Sequence, residues 1–454
     1  MKTSRRAFLR VLSAGAASAV AGLPTIGAMA DVTAGSLDEF FIFIIALGGW
    51  DVTLWADPRN EAKGLVHPAS TENTDTSQLH RWVDAPLEEG AFKTFEPVRP
   101  RGSNLVFGPG IGDLADMADR ITIVNGLQMN TVAHPDGQVF STTGRHPSGG
   151  RVAAASIDTM LANEFGREQL FPTVSVRYPS SYVGEHLDRR VVPLVVDDVG
   201  AIGRTLSRAG MYDSDSERDR VTAMLSEEAS DMARQSTYPD VPEGVSLQYQ
   251  SLRHMLASRL QDVLSGGGLR KGHPEFDYKA RFAGAPAVNA AFAIEAMKRN
   301  VVRCVSFAVG GFDTHQNNYR THAQLQQETF GLVAAIVKSL DATPHPTKAG
   351  ARLSDHTHVL VVSDFCRTPQ INLAMGRDHY PNNSALIVSP RFKTNFVFGK
   401  TDPEQLLPQP TKKFIDGERA IAPPDLLATF LGAFGVNPRK YMRDGEVVPE
   451  LLKS

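Results

Sequence analysis

The sequence predicts an α/β protein, a three-layer sandwich whose largely parallel central sheet lies between helices. Two observations carry that expectation: apolar runs of strand length, four of them ending in Gly or Asp, and helical patterns between them. Continuous apolar runs belong to strands covered on both faces, as in a parallel sheet flanked by helices. FFIFIIALGG (40–49), RITIVNGL (120–127), VRCVSFAVGG (302–311) and HTHVLVVSDF (356–365) are runs of this kind, and SALIVS (384–389) is a shorter one. In HAQLQQETFGLVAAIVKSLDAT (322–343), Leu325, Phe330, Leu332, Val333, Ile336 and Leu340 recur at helical spacing. PPDLLATFLGAFG (423–435) has proline at its start and Gly435 at its end, the usual punctuation of a helix.

The middle of the chain reads differently. Residues 214–236 and 246–263 are charged, helical in period and free of strand signals, and SGGGLRKG (265–272) reads as a flexible join. Residues 176–284 are therefore expected to form a mostly helical insertion beside an α/β core of 31–175 and 285–454. The stretch 56–105, rich in Pro, Asn, Asp and Gly, is expected to be a long irregular loop, a kind of segment that is often functional.

The N-terminus reads as a targeting segment. MKTSRRAFLRVLSAGAASAVAGLPTIGAMA pairs Arg5 with Arg6, continues through a weakly apolar Ala-rich stretch and ends in the small-x-small sequence Ala28-Met29-Ala30. This is the pattern of a twin-arginine signal peptide over 1–30, and it predicts the twin-arginine export machinery as a partner and a periplasmic or secreted mature protein. That route carries folded proteins, so a metal could be inserted before export. No run of about 18 uninterrupted apolar residues is available to span a membrane. Without Lys2, Arg5, Arg6 and Arg10, 43 basic side chains face 50 acidic ones, a formal charge of −7. With no basic stripe interleaved with aromatics, nucleic acid is not an expected partner. Cys304 and Cys366 are the only cysteines, too few for a disulfide framework or a zinc–thiolate cluster.

Ligands of open α/β sheets bind beyond the carboxyl ends of the strands, so the residues there matter most. The first run leads to Asp51. The second leads through NTVAHPDGQVFSTTGRHPSGG to His134 and Asp136, then Arg145 and His146. The third leads through GGFDTH to Asp313 and His315. The fourth supplies Asp364 and, in FCRTP, Arg367, with Asp378 and His379 a little further on. Carboxylate and imidazole ligands without thiolates suit zinc, manganese, magnesium, calcium or iron. Taken singly each has a plainer use. Asp51 and Asp364 could cap the following helix, His315 could bond a loop carbonyl, His379 could sit in a surface turn, and Arg367 could be a structural ion-pair partner. Repetition at successive strand ends is what points to a site. His322, His356 and His358 stand at helix or strand ends and are read as structural.

The signal together with LGGWD, GGFDTH, SDFCRTP and a downstream DH resembles the domain-of-unknown-function family numbered 1501, itself related to the alkaline phosphatase and sulfatase superfamily. HPDGQVFSTTGRHPSGG is similar to the sulfatase nucleophile signature, and APPDLLATFLGAFGV to the superfamily's C-terminal helix. The resemblance covers nearly all of the mature chain. It implies an alkaline phosphatase-like sheet with Asp51, Asp313, His315, Asp364 and His379 at ligand positions, holding one or two divalent ions. It further implies His134 and Arg367 as catalytic residues and a phosphate- or sulfate-ester substrate, an anionic or carbohydrate-derived small molecule. The chain also departs from the pattern. His134 stands where sulfatases carry a Ser or Cys nucleophile, with Asp136 and Gln138 where they carry Pro and Arg. Phe365 follows Asp364 where many members place His, and Pro381 lies where another His is frequent. These departures exclude formylglycine chemistry and favour one ion over two. They also keep open a non-catalytic structural or carbohydrate-binding protein on the same fold.

Overall fold

The computed structural model describes residues 38–58, 97–202 and 264–453 apart from 371, 373, 375 and 404, with scattered helical positions between 216 and 231. The expected signal peptide, most of the expected 56–105 loop, the 246–263 pattern and all but those scattered positions of the 214–236 pattern lie outside the described residues. In chain order the strands are β1 (Phe40–Leu47), β2 (Ile121–Gln128), β3 (Phe171–Val176), β4 (Leu194–Val196), β5 (Val302–Gly310), β6 (Thr357–Ser363), β7 (Cys366–Arg367), β8 (His379–Tyr380), β9 (Asn382–Val388), β10 (Phe396–Phe398), β11 (Lys412–Phe414) and β12 (Gly417–Arg419). The helices used below are α1 (His134–Thr143), α2 (Ile157–Phe165), α3 (Gly266–Gly272), α4 (Gly284–Lys298), α5 (Asn318–Ala342) and α6 (Pro423–Ala433).

One sheet of eight strands runs in the order β10-β2-β9-β6-β1-β5-β3-β4. Every neighbouring pair is parallel except β2–β9 and β6–β9, so β9 alone runs against the rest. The apolar runs explain the arrangement. Along β1, Phe40, Ile42, Ile44 and Ala46 enter one core while Phe41, Phe43 and Ile45 enter the other. The first core is closed by α4 and α5, through residues such as Phe292, Phe330 and Ile336. The second is closed by α2 and α6, through Met160, Leu427 and Phe430. A strand with both faces covered has no polar face to show, hence the missing alternation. α4 is buried almost all round, and its alanines let it lie close to the sheet. α6 begins at Pro423-Pro424, and the Asp425 carboxylate accepts from the Ala422 backbone N–H at 2.9 Å. Among the described residues, no helix is long and apolar enough to cross a membrane.

β3, β4 and β10 have no counterpart among the five expected runs. FPTVSV is short and polar at two positions, and LVV and FVF are too short to stand out. β4 joins the sheet edge within the 176–284 segment that the sequence reads as mostly helical. Cys304 and Cys366 are both buried free thiols, and burial pushes each well above the usual thiol range.

Candidate metal centre

β6, β1 and β5 lie side by side and parallel, so the segments that leave their carboxyl ends meet. Gly48 makes the meeting possible. At φ +114° it turns the chain out of β1, and a Cβ there would lie 2.3 Å from the Asp313 nitrogen. Its N–H donates to Asp364 Oδ2 at 3.1 Å, tying the end of β1 to the end of β6. Asp313 and His315 follow β5 directly. His379 comes from β8, which pairs antiparallel with β7 so that Arg367 faces His379. His134 is the first residue of α1.

Four of these side chains converge. Asp313 Oδ1 lies 3.1 Å from His315 Nε2 and 3.3 Å from Nε2 of both His134 and His379. The two Nε2 atoms of His315 and His379 are 3.0 Å apart. The opposite edge of each ring is anchored. His134 Nδ1 meets Asp364 Oδ2 at 2.7 Å, His315 Nδ1 meets Asp378 Oδ1 at 2.7 Å, and His379 Nδ1 meets the Val132 carbonyl oxygen at 2.7 Å. An acceptor at Nδ1 fixes the proton there and leaves the Nε2 lone pair for the common point, the arrangement usual behind metal-ligating histidines. Ligand atoms about 2.0–2.1 Å from one ion at tetrahedral angles lie about 3.3–3.4 Å from each other, close to the spacings here. His134 Nε2 is buried yet makes no hydrogen bond, and so is Asp364 Oδ1. Orphaned buried polar atoms of this kind call for a partner. His134, Asp313 and His379 each bring a ligand atom within 4.8 Å of the other two, a set that fits a small divalent cation, while His315 stands beside it against Asp313 and His379.

The charges of Asp313 and His379 agree with the geometry, and that of His134 opposes it. Burial alone would raise the Asp313 carboxyl, but the Arg367 guanidinium, with His134 and His379, holds it down at about 2. The hydrogen bond that His134 donates to Asp364 outweighs burial and raises the imidazole, a shift towards the protonated ring that a bound cation would have to overcome. Burial, reinforced by the charges of His134 and Arg367, lowers His379 and so favours the neutral ring that a ligand needs.

The remaining expected residues stand apart from the convergence point. Asp51 is wholly buried and caps the short helical turn Val52–Leu54, accepting from the Thr53 N–H at 3.1 Å. Its other oxygen accepts from Asn318 Nδ2 at 2.9 Å and lies 3.3 Å from Arg377 Nε. Asp364 is buried behind His134 and orients it, helped by Gln138 Nε2 at 3.2 Å. Arg367 has no exposed surface. It donates to the carbonyls of Gly48, Gly49 and Arg377 and to Asp313 Oδ1 at 2.6 Å, so it fixes the Asp313 carboxylate and cannot itself reach a ligand. Asp136 is exposed in the first turn of α1. His146 stacks on Phe140 at 3.8 Å, and it lines a cavity with Arg145. His322 is buried: its Nε2 accepts from the Asp51 N–H at 3.0 Å, and burial holds it down at about 3.

Sequence reasoning did not reach Arg377 or the Val132 carbonyl, and it met Gln138 only as a departure from the sulfatase pattern. A backbone oxygen carries no signature, and Gln138 is recognisable only once α1 places it one turn beyond His134.

Ps i-CgsB in complex with k-i-k-neocarrahexaose is similar at 10% identity and a TM-score of 0.36, over 88% of this chain and 72% of that one. A Bacteroides thetaiotaomicron protein described under metabolism of multiple glycosaminoglycans is similar at 10% identity and a TM-score of 0.31, over 88% of this chain and 74% of that one. No curated protein matches the chain. A family match, by contrast, runs from Glu39 in front of β1 to Val447 behind α6. It takes in all of the sheet and every residue of the cluster, and the chain belongs to the family described as a protein of unknown function, DUF1501.

Proposed function

We propose that the protein is an exported, metal-dependent hydrolase on an alkaline phosphatase/sulfatase-like fold, acting on a phosphate- or sulfate-ester substrate. The observation that carries this reading is the convergence of three Nε2 atoms on Asp313, each ring anchored at Nδ1. A divalent ion bound there would polarise an ester oxygen and supply a nucleophile from water. The ligands would be His134, Asp313 and His379, with Asp364 orienting His134 and Asp378 holding His315 beside them. Asp51, expected as a fifth ligand, caps its own turn and would hold the floor of the site through Arg377 and His322. Arg367 would keep Asp313 ionised and aimed, and its fixed positive charge would favour an anionic ester nearby.

One observation supports a second reading, a binding protein of the same fold. Among the described residues, no hydroxyl or thiol hydrogen-bonds any of the four converging side chains, so no side-chain nucleophile stands ready beside them. The two readings separate in one experiment. Mature protein purified without chelator is expected to carry close to one equivalent of a divalent metal and to cleave an aryl phosphate or aryl sulfate. Asp313→Ala/His315→Ala, folded by circular dichroism, should lose both. Metal without turnover across an ester panel would support the binding protein. A well-folded parent that neither carries metal nor gains melting temperature from added divalent ions would end both metal readings.

A further inference from the structure

The residues after α1 line two cavities at the end of that helix remote from His134. At a rise of about 1.5 Å per residue, the ten-residue α1 sets them about 15 Å from the cluster. One has a volume of about 520 Å³ and the other about 720 Å³. Gly144, Arg145, Arg439, Arg443 and Asp444 line both, so they form two lobes of one trough.

Lys440, in the smaller lobe, is paired with Glu164 at 2.8 Å, but three arginines of the trough have little else to do. Arg145 Nη1 donates to the Ala153 carbonyl at 3.3 Å, and Arg439 donates to the Arg443 carbonyl. Among the described residues, none of Arg145, Arg439 and Arg443 pairs with a carboxylate. Arg419, on the wall of the larger lobe, is by contrast fully engaged by Asp416 and Asp425. Unpaired guanidinium forks suit the planar or tetrahedral oxyanions of carboxylates, sulfates and phosphates. The trough is not purely basic. Glu185 and Asp444 line the smaller lobe, and Gln128, Asn130, Asp416, Asp444 and Glu446 the larger. Those carboxylates would repel a densely charged polyphosphate. They and the amides would accept from the hydroxyls of a ligand that carries both hydroxyls and spaced anionic groups.

We propose that this trough binds an acidic oligosaccharide, one bearing sulfate or carboxylate groups on a hydroxyl-rich chain. The inference rests on the trough alone and stands or falls apart from the metal centre. The test is calorimetric titration of the mature protein with a sulfated hexasaccharide, its desulfated counterpart and inorganic sulfate, in a series of salt concentrations. The sulfated chain should bind best, and Arg145→Gln/Arg443→Gln should weaken it about tenfold and flatten its salt dependence. The exposed single variant Arg443→Gln should show part of the same loss with an unchanged melting temperature. Chelated protein should bind the chain as the metal-loaded protein does. Equal binding by parent and arginine variants, equal binding of sulfated and desulfated chains, or retention of inorganic sulfate alone would each overturn the proposal.

Discussion

Asp378 holds the Nδ1 edge of His315 at 2.7 Å, and Asp364 holds that of His134 at the same distance. Neither belongs to the converging set, yet each decides which nitrogen of its ring faces the centre. Removing such a partner commonly weakens metal affinity by about 10–100-fold. Asp364→Asn should therefore lower divalent-ion affinity by about that factor in a competitive chelator titration, because His134 is the ring it orients. Gly137 matters for a different reason. A Cβ there would lie 2.5 Å from the Asp364 carbonyl oxygen, so α1 would have to move off the end of β6. Gly137→Ala should cost about 1–3 kcal/mol in urea unfolding and should also reduce metal affinity, because His134 travels with α1.

At the scale of elements, α4 is tied to the turn after α3 by a buried ion pair. His273 Nε2 lies 3.2 Å from Glu295 Oε2, and its Nδ1 lies 3.1 Å from Glu275 Oε1. The His273 hydrogen bond, over the opposing effect of burial and aided by Arg299, holds Glu295 down at about 2. Burial by itself lowers His273, but the bonds to Glu295 and Glu275 outweigh it and raise the imidazole. The signs follow from linkage. A raised histidine contributes stability that is complete below its ordinary value of 6.5 and fades as pH climbs through the raised value. A depressed glutamate contributes stability present above 4.5 that fades as pH falls towards about 2. His273→Gln should lose about 1–2 kcal/mol near pH 6 and show a flatter decline from pH 6.5 to 8 than the parent, measured by urea unfolding. A parallel decline in both proteins would remove this pair as the cause.

At the scale of the whole molecule, the sheet divides two cores. Ile44 and Ile45 are adjacent in β1 and both fully buried, one in each core. In a sheet with one wet face, one of two neighbours tolerates truncation. Here Ile44→Ala and Ile45→Ala should each cost about 2–5 kcal/mol, and their double variant should come close to the sum if the cores are independent. The same layering fixes where chemistry can happen. Faces covered by helices leave the strand ends as the open edge, and the cluster stands there.

The sequence by itself determined the strand runs of β1, β2, β5, β6 and β9, the helices α5 and α6, and the residues that leave the strand ends. These are legible because a strand covered on both faces must be apolar throughout and because caps and turns use few residue types. Asp313, His315, His379 and His134 were all readable as metal-capable side chains. Their division of labour was not. Asp51 and Asp364 look the same in sequence as Asp313, and only the packing puts Asp51 under Arg377 and Asp364 behind His134. Arg367 looks like a free cation until the carbonyls of Gly48 and Gly49 are seen to occupy it. The short strands β3, β4 and β10 escape for a related reason: three to six residues hold too little periodicity, and the sheet edge and its neighbours decide their state. Side-chain chemistry is written residue by residue, whereas which atoms face a common point depends on contacts between segments hundreds of residues apart, and those exist only in the folded chain.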